Sequence, residues 1–355
     1  MDTVFLGIDL GTFHTAVACS NGRREVIETA VGWPKDHIAR EVLGREIVFG
    51  AEIHENRPAL DVLRPFEKAT LKYCANEGGS SIDHDTHSRA DAARQVLAHA
   101  VDKVVSRGSA TLCGVVGVPS RANREAKQAM LKIAQDVLDA VILVPEPFAA
   151  GYGTNRSQGA LVIDIGAGTI DICPMFGTLP SDEDQVTVSF GGDYIDEEFC
   201  QRMLTVYPEA RLSLNMARKI KEKHGFVGGE ERSVNIKLPV KGRPPQQFDV
   251  TEPLRNSCEM LVAKIVKGVH QLSWNLDPEI HERVIGNILL SGGGSQLRGL
   301  DHALEKALAE FGRVSVTRVY DSTFAGAMGA LRLAMDTPAE HWDKLRPAVT
   351  SESLL

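Results

Sequence analysis

A chain of 355 residues that is 43% hydrophobic and 24% charged has enough apolar material for two cores and lacks the composition of a disordered or membrane protein. Its net charge is −8 with both signs interspersed; no block of Lys and Arg is left to grip a phosphate backbone, so no nucleic acid is expected as a partner. The N-terminus runs from Met1 directly into Val4-Phe5-Leu6 without a basic leader, and no apolar run reaches the roughly 18 residues of a membrane span, which predicts a cytoplasmic protein with no direct membrane insertion.

Val4 to Ile8 is a short apolar run, followed by Asp9-Leu10-Gly11-Thr12-Phe13-His14-Thr15 and an alternating stretch to Ser20. That pattern predicts a strand, a tight glycine turn and a second strand, and Asn21-Gly22 signals a hairpin into a third. From Gly32 to about Asn76 the text is broken by Pro34, Pro58 and Pro65, and a small irregular insertion is expected at about 32–76. Ser88-Arg89-Ala90-Asp91 has the spacing of a capping box, with apolar pairs every four residues behind it, from Ala92/Ala93 to Val104/Val105; this predicts a helix. Leu112 to Val118 then reads as a buried strand, Ser120 to Ala140 as an amphipathic helix and Val141 to Val144 as another strand. Strands alternating with helices make a parallel α/β layer.

Leu161-Val162-Ile163-Asp164-Ile165-Gly166-Ala167-Gly168-Thr169-Ile170-Asp171 restates the opening, its first aspartate 155 positions after Asp9. Self-similarity at that spacing predicts a duplicated domain, and two such halves enclose a cleft. Between about Asp193 and Asp249 the rhythm lapses, with Gly228-Gly229 and Lys241-Gly242-Arg243-Pro244-Pro245, so a second insertion is expected at about 193–252. A long helix from about Pro253 to Trp274, a strand Asn287 to Leu290, the loop Ser291-Gly292-Gly293-Gly294-Ser295 and helices near 299–311 and 322–335 resume the core. Six cysteines, Cys19, Cys74, Cys113, Cys173, Cys200 and Cys258, form no CxxC pair and read as reduced structural thiols.

The two aspartate turns carry the chemistry. A glycine-rich hairpin presents backbone N–H groups to phosphate oxygens, and the hydroxyls of Thr12, Thr15 and Thr169 are candidate extra donors. Asp9 and Asp164 at the strand ends would repel phosphate unless a cation lay between, and Mg²⁺, which keeps most of its waters, suits so few carboxylates. Either aspartate alone could serve only its own turn amides; it is the matched pair that argues for a cation. Ser291 to Ser295, after a strand and before a helix, offers a flat glycine backbone to a ring or an anion, the plainer alternative being a flexible loop. The small residues of Phe324-Ala325-Gly326-Ala327-Met328-Gly329-Ala330 read as a face for close helix packing. Asp83-His84-Asp85-Thr86-His87 is a polar stretch before a helix and reads as a solvated loop rather than a metal site.

In this order the motifs resemble those of the superfamily of actin, sugar kinases and the large heat-shock chaperones. Asp9 to Thr12 resembles its first phosphate loop, Asp164 to Asp171 the second, Gly292 to Gly294 the adenosine motif, and Glu146 to Gly151 and Ala325 to Ala330 the connecting helices. Ser291 to Leu300 is similar to MreB-type bacterial actins. Phe5 to Val17, Val31 to Asp36, Glu146 to Gly153 and Val250 to Pro253 resemble the MamK-type, magnetosome-associated actins over nearly the whole chain.

The resemblance implies an α/β, actin-like (ribonuclease H-like) fold of duplicated domains with a nucleotide cleft and a smaller insertion in each half. The halves would span 1–150 and 151–329, with a C-terminal helix and tail, 330–355, returning to the first. It implies ATP or ADP with Mg²⁺ as cofactors, Glu146 as the residue that orients the attacking water, and Asp9 and Asp164 organising the metal. Nucleotide contacts are implied for Gly11, Thr12 and Phe13, for Gly166, Ala167, Gly168 and Thr169, and for Gly192, Asp193, Lys221, Glu222, Gly292, Gly293 and Gly294. One departure stands out: within Arg64 to Ala69, Lys68-Ala69 replaces the Asp-Gly or similar turn of many bacterial actins.

The implied function is a cytoskeletal, ATP-hydrolysing filament that self-associates head to tail and is linked by adaptors to magnetosomes or other cargo. The alternatives within the family are a cell-shape filament or a plasmid-segregation actin. A sugar kinase would need a base for a substrate hydroxyl, for which no motif is seen, and a chaperone ATPase would need a peptide-binding module beyond the short polar stretch that ends at Leu355.

Overall fold

A computed structural model describes residues 2–67, 70–71, 88–106, 108, 110–229 and 233–345. It comprises two units, Met1–Asn155 with Thr323–Leu355, and Arg156–Ser322.

The first unit begins with β1 (Thr3–Leu10), β2 (His14–Cys19) and β3 (Arg24–Glu28), an antiparallel set. Gly11 N–H donates to the His14 carbonyl at 3.1 Å and closes the first turn; Gly22, at φ 87°, closes the second. The region expected to be irregular is ordered: β4 (Val31–Pro34), α1 (His37–Leu43), β5 (Val48–Phe49), α2 (Ala51–Glu55), β6 (Leu60–Leu63), β7 (Phe66–Glu67) and β8 (Thr70–Leu71). Strands β5-β4-β6 form one sheet and β7-β8 another. Its prolines do not disrupt these elements because they punctuate them: Pro34 ends β4, Pro58 lies in a 3-10 turn, and Pro65 separates β6 from β7. Lys68, Ala69, Cys74 and the Asp83 to His87 stretch lie outside the described residues.

Helix α3 (Arg89–Val104) starts as the capping box predicts, the Ser88 hydroxyl accepting from the Asp91 N–H at 3.0 Å. It leads to β9 (Thr111–Val118), α4 (Arg124–Gln135), β10 (Ala140–Pro145) and α5 (Glu146–Gly153). Helix α4 starts later than expected because Asn123 caps it, accepting from Ala126 N–H at 2.8 Å. The sheet order is β10-β9-β1-β2-β3, over a core that includes Leu6, Ile8, Val17, Leu97, Val116 and Ile133.

The second unit repeats this plan. Its elements are β11 (Gln158–Ile165), β12 (Ile170–Phe176), β13 (Val186–Val188), α6 (Gly192–Val206), α7 (Leu214–His224), β14 (Asn235–Val240), β15 (Arg243–Asp249), α8 (Thr251–Ser273), α9 (Pro278–Ile285), β16 (Asn287–Ser291), α10 (Leu300–Ala307) and β17 (Ser315–Arg318). The order β13-β12-β11-β16-β17 puts two antiparallel neighbours on one side of the central strand and parallel strands on the other, as in the first sheet. The stretch read as lacking α/β rhythm opens with α6 and α7 before the hairpin β14-β15. Their inner faces carry charge, Asp196 on α6 and Arg218 on α7, both buried, which interrupts the apolar periodicity.

The chain ends with α11 (Ala325–Asp336) and α12 (Ala339–Leu345), in the first unit. The small-residue face serves packing. A Cβ at Gly7 would collide with the Ala327 carbonyl, and one at Gly329 with the Ala149 carbonyl, so α11 lies directly on β1 and α5. Among the described residues no helix is long and apolar enough to cross a membrane.

Candidate functional site

In the first unit Asp9 occupies the penultimate position of β1, opposite Ala16 on β2 and Gly117 on β9. A Cβ on Gly326 would lie 2.6 Å from Asp9 Oδ2, so the first turn of α11 passes against this carboxylate. A Cβ on Gly117 would meet Glu146 Cγ at 3.0 Å; glycine there lets the first residue of α5 lie over the end of β9. Glu146 is half-buried and sits in the first turn of its helix, where the dipole favours its charge. Thr12 is buried. Thr15 is not the hydroxyl donor the sequence proposes, because its Oγ1 is paired with Thr29 Oγ1 at 2.9 Å in the interior. The Phe13 carbonyl accepts from Thr29 N–H at 2.8 Å.

The second unit reproduces this turn. Gly166 N–H donates to the Thr169 carbonyl at 2.9 Å, at the same offset from Asp164 as Gly11 has from Asp9. On it sits the turn that opens α6: Gly192 N–H donates to the Gly166 carbonyl at 3.0 Å and Asp193 N–H to the Ala167 carbonyl at 2.9 Å. A Cβ on Gly191 would lie 2.5 Å from that Ala167 oxygen. Thr169 Oγ1 donates to Asp171 Oδ2 at 2.7 Å, and Thr187 Oγ1 donates to the other oxygen at 2.6 Å. The Thr169 hydroxyl is thereby held by Asp171 within its own hairpin.

Asp164 lies opposite Asp171 on β12 and beside Ser291 on β16. Burial pushes its carboxyl up to about 6; a hydrogen bond from the Ser291 hydroxyl opposes that rise and the Asp171 charge adds to it. Among the described residues no three His, Cys, Asp or Glu side chains gather into a metal site, and the donor set fits a hydrated ion that touches few protein ligands.

The three glycines have separate tasks. Gly292, at φ 75°, would place a Cβ 2.5 Å from the Ile165 carbonyl, and a Cβ on Gly294 would enter the Ile165 side chain, whereas Gly293 has nothing within 4 Å of that position. Two let the loop close on β11 and the middle one presents bare backbone. A 3-10 turn, Gly293–Gln296, follows, tightened by the Ser295 hydroxyl donating to the Gly292 carbonyl at 2.7 Å; α10 begins at Leu300, next to the helix start expected near 299.

Lys221 and Glu222 separate. Lys221 Nζ reaches Asp196 at 2.9 Å and the Gly192 carbonyl at 2.7 Å, while Glu222 is exposed. Arg218 joins the same cluster, with Asp193 at 2.6 Å and Asp196 at 3.2 Å. Burial raises the Asp196 carboxyl, and the two cations pull it back. The ammonium of Lys221 therefore fastens α7 to the Gly191 to Asp193 turn and leaves only its methylene stem for a ring. Asp171, Asp196, Arg218 and Gly117 were not recognised from sequence in these roles. The 155-residue offset was the usable signal for Asp171, since it aligns that residue with Ala16 across the hairpins and exposes the unequal partners of Asp9 and Asp164.

Residues 86–338 match the family model described as MreB/Mbl protein. The chain is 39% identical over 342 residues to the actin-like protein MamK of Paramagnetospirillum magneticum, covering 96% of this chain and 95% of that one. Two solved structures are similar along their length. The MamK double helical filament is 38% identical, with a TM-score of 0.87, covering 95% of this chain and 100% of that chain. A non-polymerising MamK mutant bound to AMPPNP is 38% identical, with a TM-score of 0.70, covering 94% and 99%.

Proposed function

Because the chain belongs to the MreB/Mbl family of actin-like proteins, we propose that it binds ATP, hydrolyses it and assembles with copies of itself into filaments. The observation that carries this reading is the pair of glycine turns, closed by equivalent hydrogen bonds and each preceded by an aspartate at its strand end.

In this reading nucleotide engages the glycine turns. The N–H groups of Gly11, Thr12 and Phe13 and of Gly166 to Thr169 face phosphate oxygens, Gly292 to Gly294 lie against adenosine, and Gly192 and Asp193 border the sugar. Asp9 and Asp164 are the carboxylates that would hold a hydrated Mg²⁺, which would offset phosphate charge they would otherwise repel. Glu146 accepts a hydrogen bond from the attacking water and orients it. Lys221 and Glu222 flank the adenine side, Lys221 mainly by holding the Gly191 to Asp193 turn.

Self-association follows the relative seen as a double helical filament, and the resemblance to MamK over 96% of the chain extends it to a cytoskeletal scaffold joined by adaptors to magnetosomes. Sedimentation of the purified chain with and without MgATP, with phosphate release followed in parallel, tests the reading. Pelletable filaments and ATP-dependent phosphate are expected. A chain that stays monomeric at high concentration with nucleotide bound would refute assembly, and absence of phosphate release would refute hydrolysis.

A further inference from the structure

The first phosphate loop touches the 31–71 insertion through one side chain that the functional reading leaves unused. Arg64 follows β6, and its guanidinium carbon lies 4.5 Å from the centre of the Phe13 ring. The guanidinium donates to Glu28 Oε1 at 2.7 Å, while Glu28 Oε2 meets His54 Nε2 of α2 at 2.6 Å. The Arg64 carbonyl accepts from Arg89 of α3 at 2.9 Å. Glu28 is the register partner of His14, so the carboxylate that aims Arg64 is itself fixed to the strand leaving the loop. Phe13 is thus held at both ends, its carbonyl by Thr29 and its ring by Arg64. A planar guanidinium can lie over a ring and keep a bond to a carboxylate; a lysine ammonium cannot match both contacts.

We propose that Arg64 is a positioning residue that couples the first phosphate loop to the 31–71 insertion, so that nucleotide in the loop steadies the insertion and the docked insertion tightens nucleotide. The proposal rests on the nucleotide-binding reading above. It also assigns a purpose to the segment in which Lys68-Ala69 departs from the usual turn: the contact with the loop is made by Arg64, at the start of that segment. Coupling of this kind is reciprocal. A guanidinium–ring contact of this exposure changes affinity by about five- to tenfold.

The test uses the full chain below its assembly concentration, with MgAMPPNP as the probe, measuring affinity and the hydrogen exchange of peptides spanning residues 31–63. The wild-type chain should gain protection there on binding. Arg64→Met should bind about five- to tenfold more weakly and lose that gain, Phe13→Leu should do the same, and the double variant should be no worse than either single one. Arg64→Lys, which keeps the charge without the planar fork, should resemble Arg64→Met. Unchanged affinity and protection in Arg64→Met, or additive losses in the double variant, overturn the coupling while leaving nucleotide binding intact. If Arg64→Met does not fold, Arg64→Lys takes its place, and unchanged affinity and protection in that variant overturn the coupling. Failure of the wild-type chain to bind MgAMPPNP overturns the nucleotide reading and the coupling together.

Discussion

Replacing Asp164 by Asn should stabilise the protein when no nucleotide is present. Burial, with Asp171 across the strand pair, holds the Asp164 carboxyl at about 6, against about 4 in an unfolded chain. The native state therefore binds the extra proton between about pH 4 and pH 6, and stability falls as pH rises through that window. Above it, the ionised carboxylate costs about 3 kcal/mol. Asn has nearly the same shape and keeps an oxygen for the Ser291 hydroxyl, but it carries no charge to bury. For a unit of this size 1 kcal/mol moves Tm by about 2–4 °C, so the ceiling is about 6–12 °C. The new amide N–H groups need acceptors, which lowers the expected gain to about 5 °C.

Thermal unfolding in EDTA between pH 4.5 and 7.5 measures this. The Asn variant should melt higher at pH 7.5, the difference should shrink toward pH 4.5, and the rise in Tm that MgATP gives the wild type should be largely lost. A variant less stable than wild type at pH 7.5, or a difference that does not change with pH, would refute the argument that Asp164 is a charge held in place for a cation.

Glu146→Gln should lower phosphate release by at least about 100-fold while MgAMPPNP affinity stays within about threefold; unchanged turnover removes Glu146 from the chemistry. Gly329→Ala drives a methyl into the Ala149 carbonyl and should cost about 2–3 kcal/mol through separation of α5 and α11, read as a fall in Cm by urea denaturation; an unchanged midpoint contradicts the close crossing. Lys221→Met leaves Asp196 buried beside Arg218 alone and should cost about 3–5 kcal/mol at neutral pH. Because the raised Asp196 carboxyl rises further in that variant, its deficit should shrink as pH falls and protonates the group, and Asp196→Asn in the same chain should restore part of the loss. A deficit independent of pH counts against the ion cluster.

The central strands, their glycine turns and the α3 cap could be read from sequence because each is encoded locally: alternation in Leu6 to Cys19 and Leu161 to Cys173, and a serine three residues before an aspartate. Helices α6 and α7 escaped because their inner faces carry Asp196 and Arg218, charges that satisfy each other only once both helices are packed. The first insertion escaped because its prolines were read as breaks, while in the fold they end one strand, start a 3-10 turn and separate two others. In the site, the aspartates and glycines were legible as types in a repeated order. The partner of each hydroxyl was not, since Thr15 finds Thr29 just past the end of β3 and Thr169 shares Asp171 with Thr187, partners brought in by sheet register.

Duplication gave both units the same backbone, and register shows how their side chains diverged. Across the hairpin Asp9 faces Ala16 where Asp164 faces Asp171, and on the parallel side Asp9 faces Gly117 where Asp164 faces Ser291. A small residue at 117 clears the space that Glu146 occupies; a serine at the matching position instead supplies Asp164 with a hydroxyl donor. The second unit therefore gathers two carboxylates with hydroxyl donors around them, and the first keeps Glu146 at a helix start. Two like-charged carboxylates opposite each other are unfavourable in a sheet without a counter-charge, so Asp171 is costly unless its oxygens are occupied, as they are by the hydroxyls of Thr169 and Thr187. The same carboxylate that raises Asp164 thus also fixes the Thr169 hydroxyl beside it.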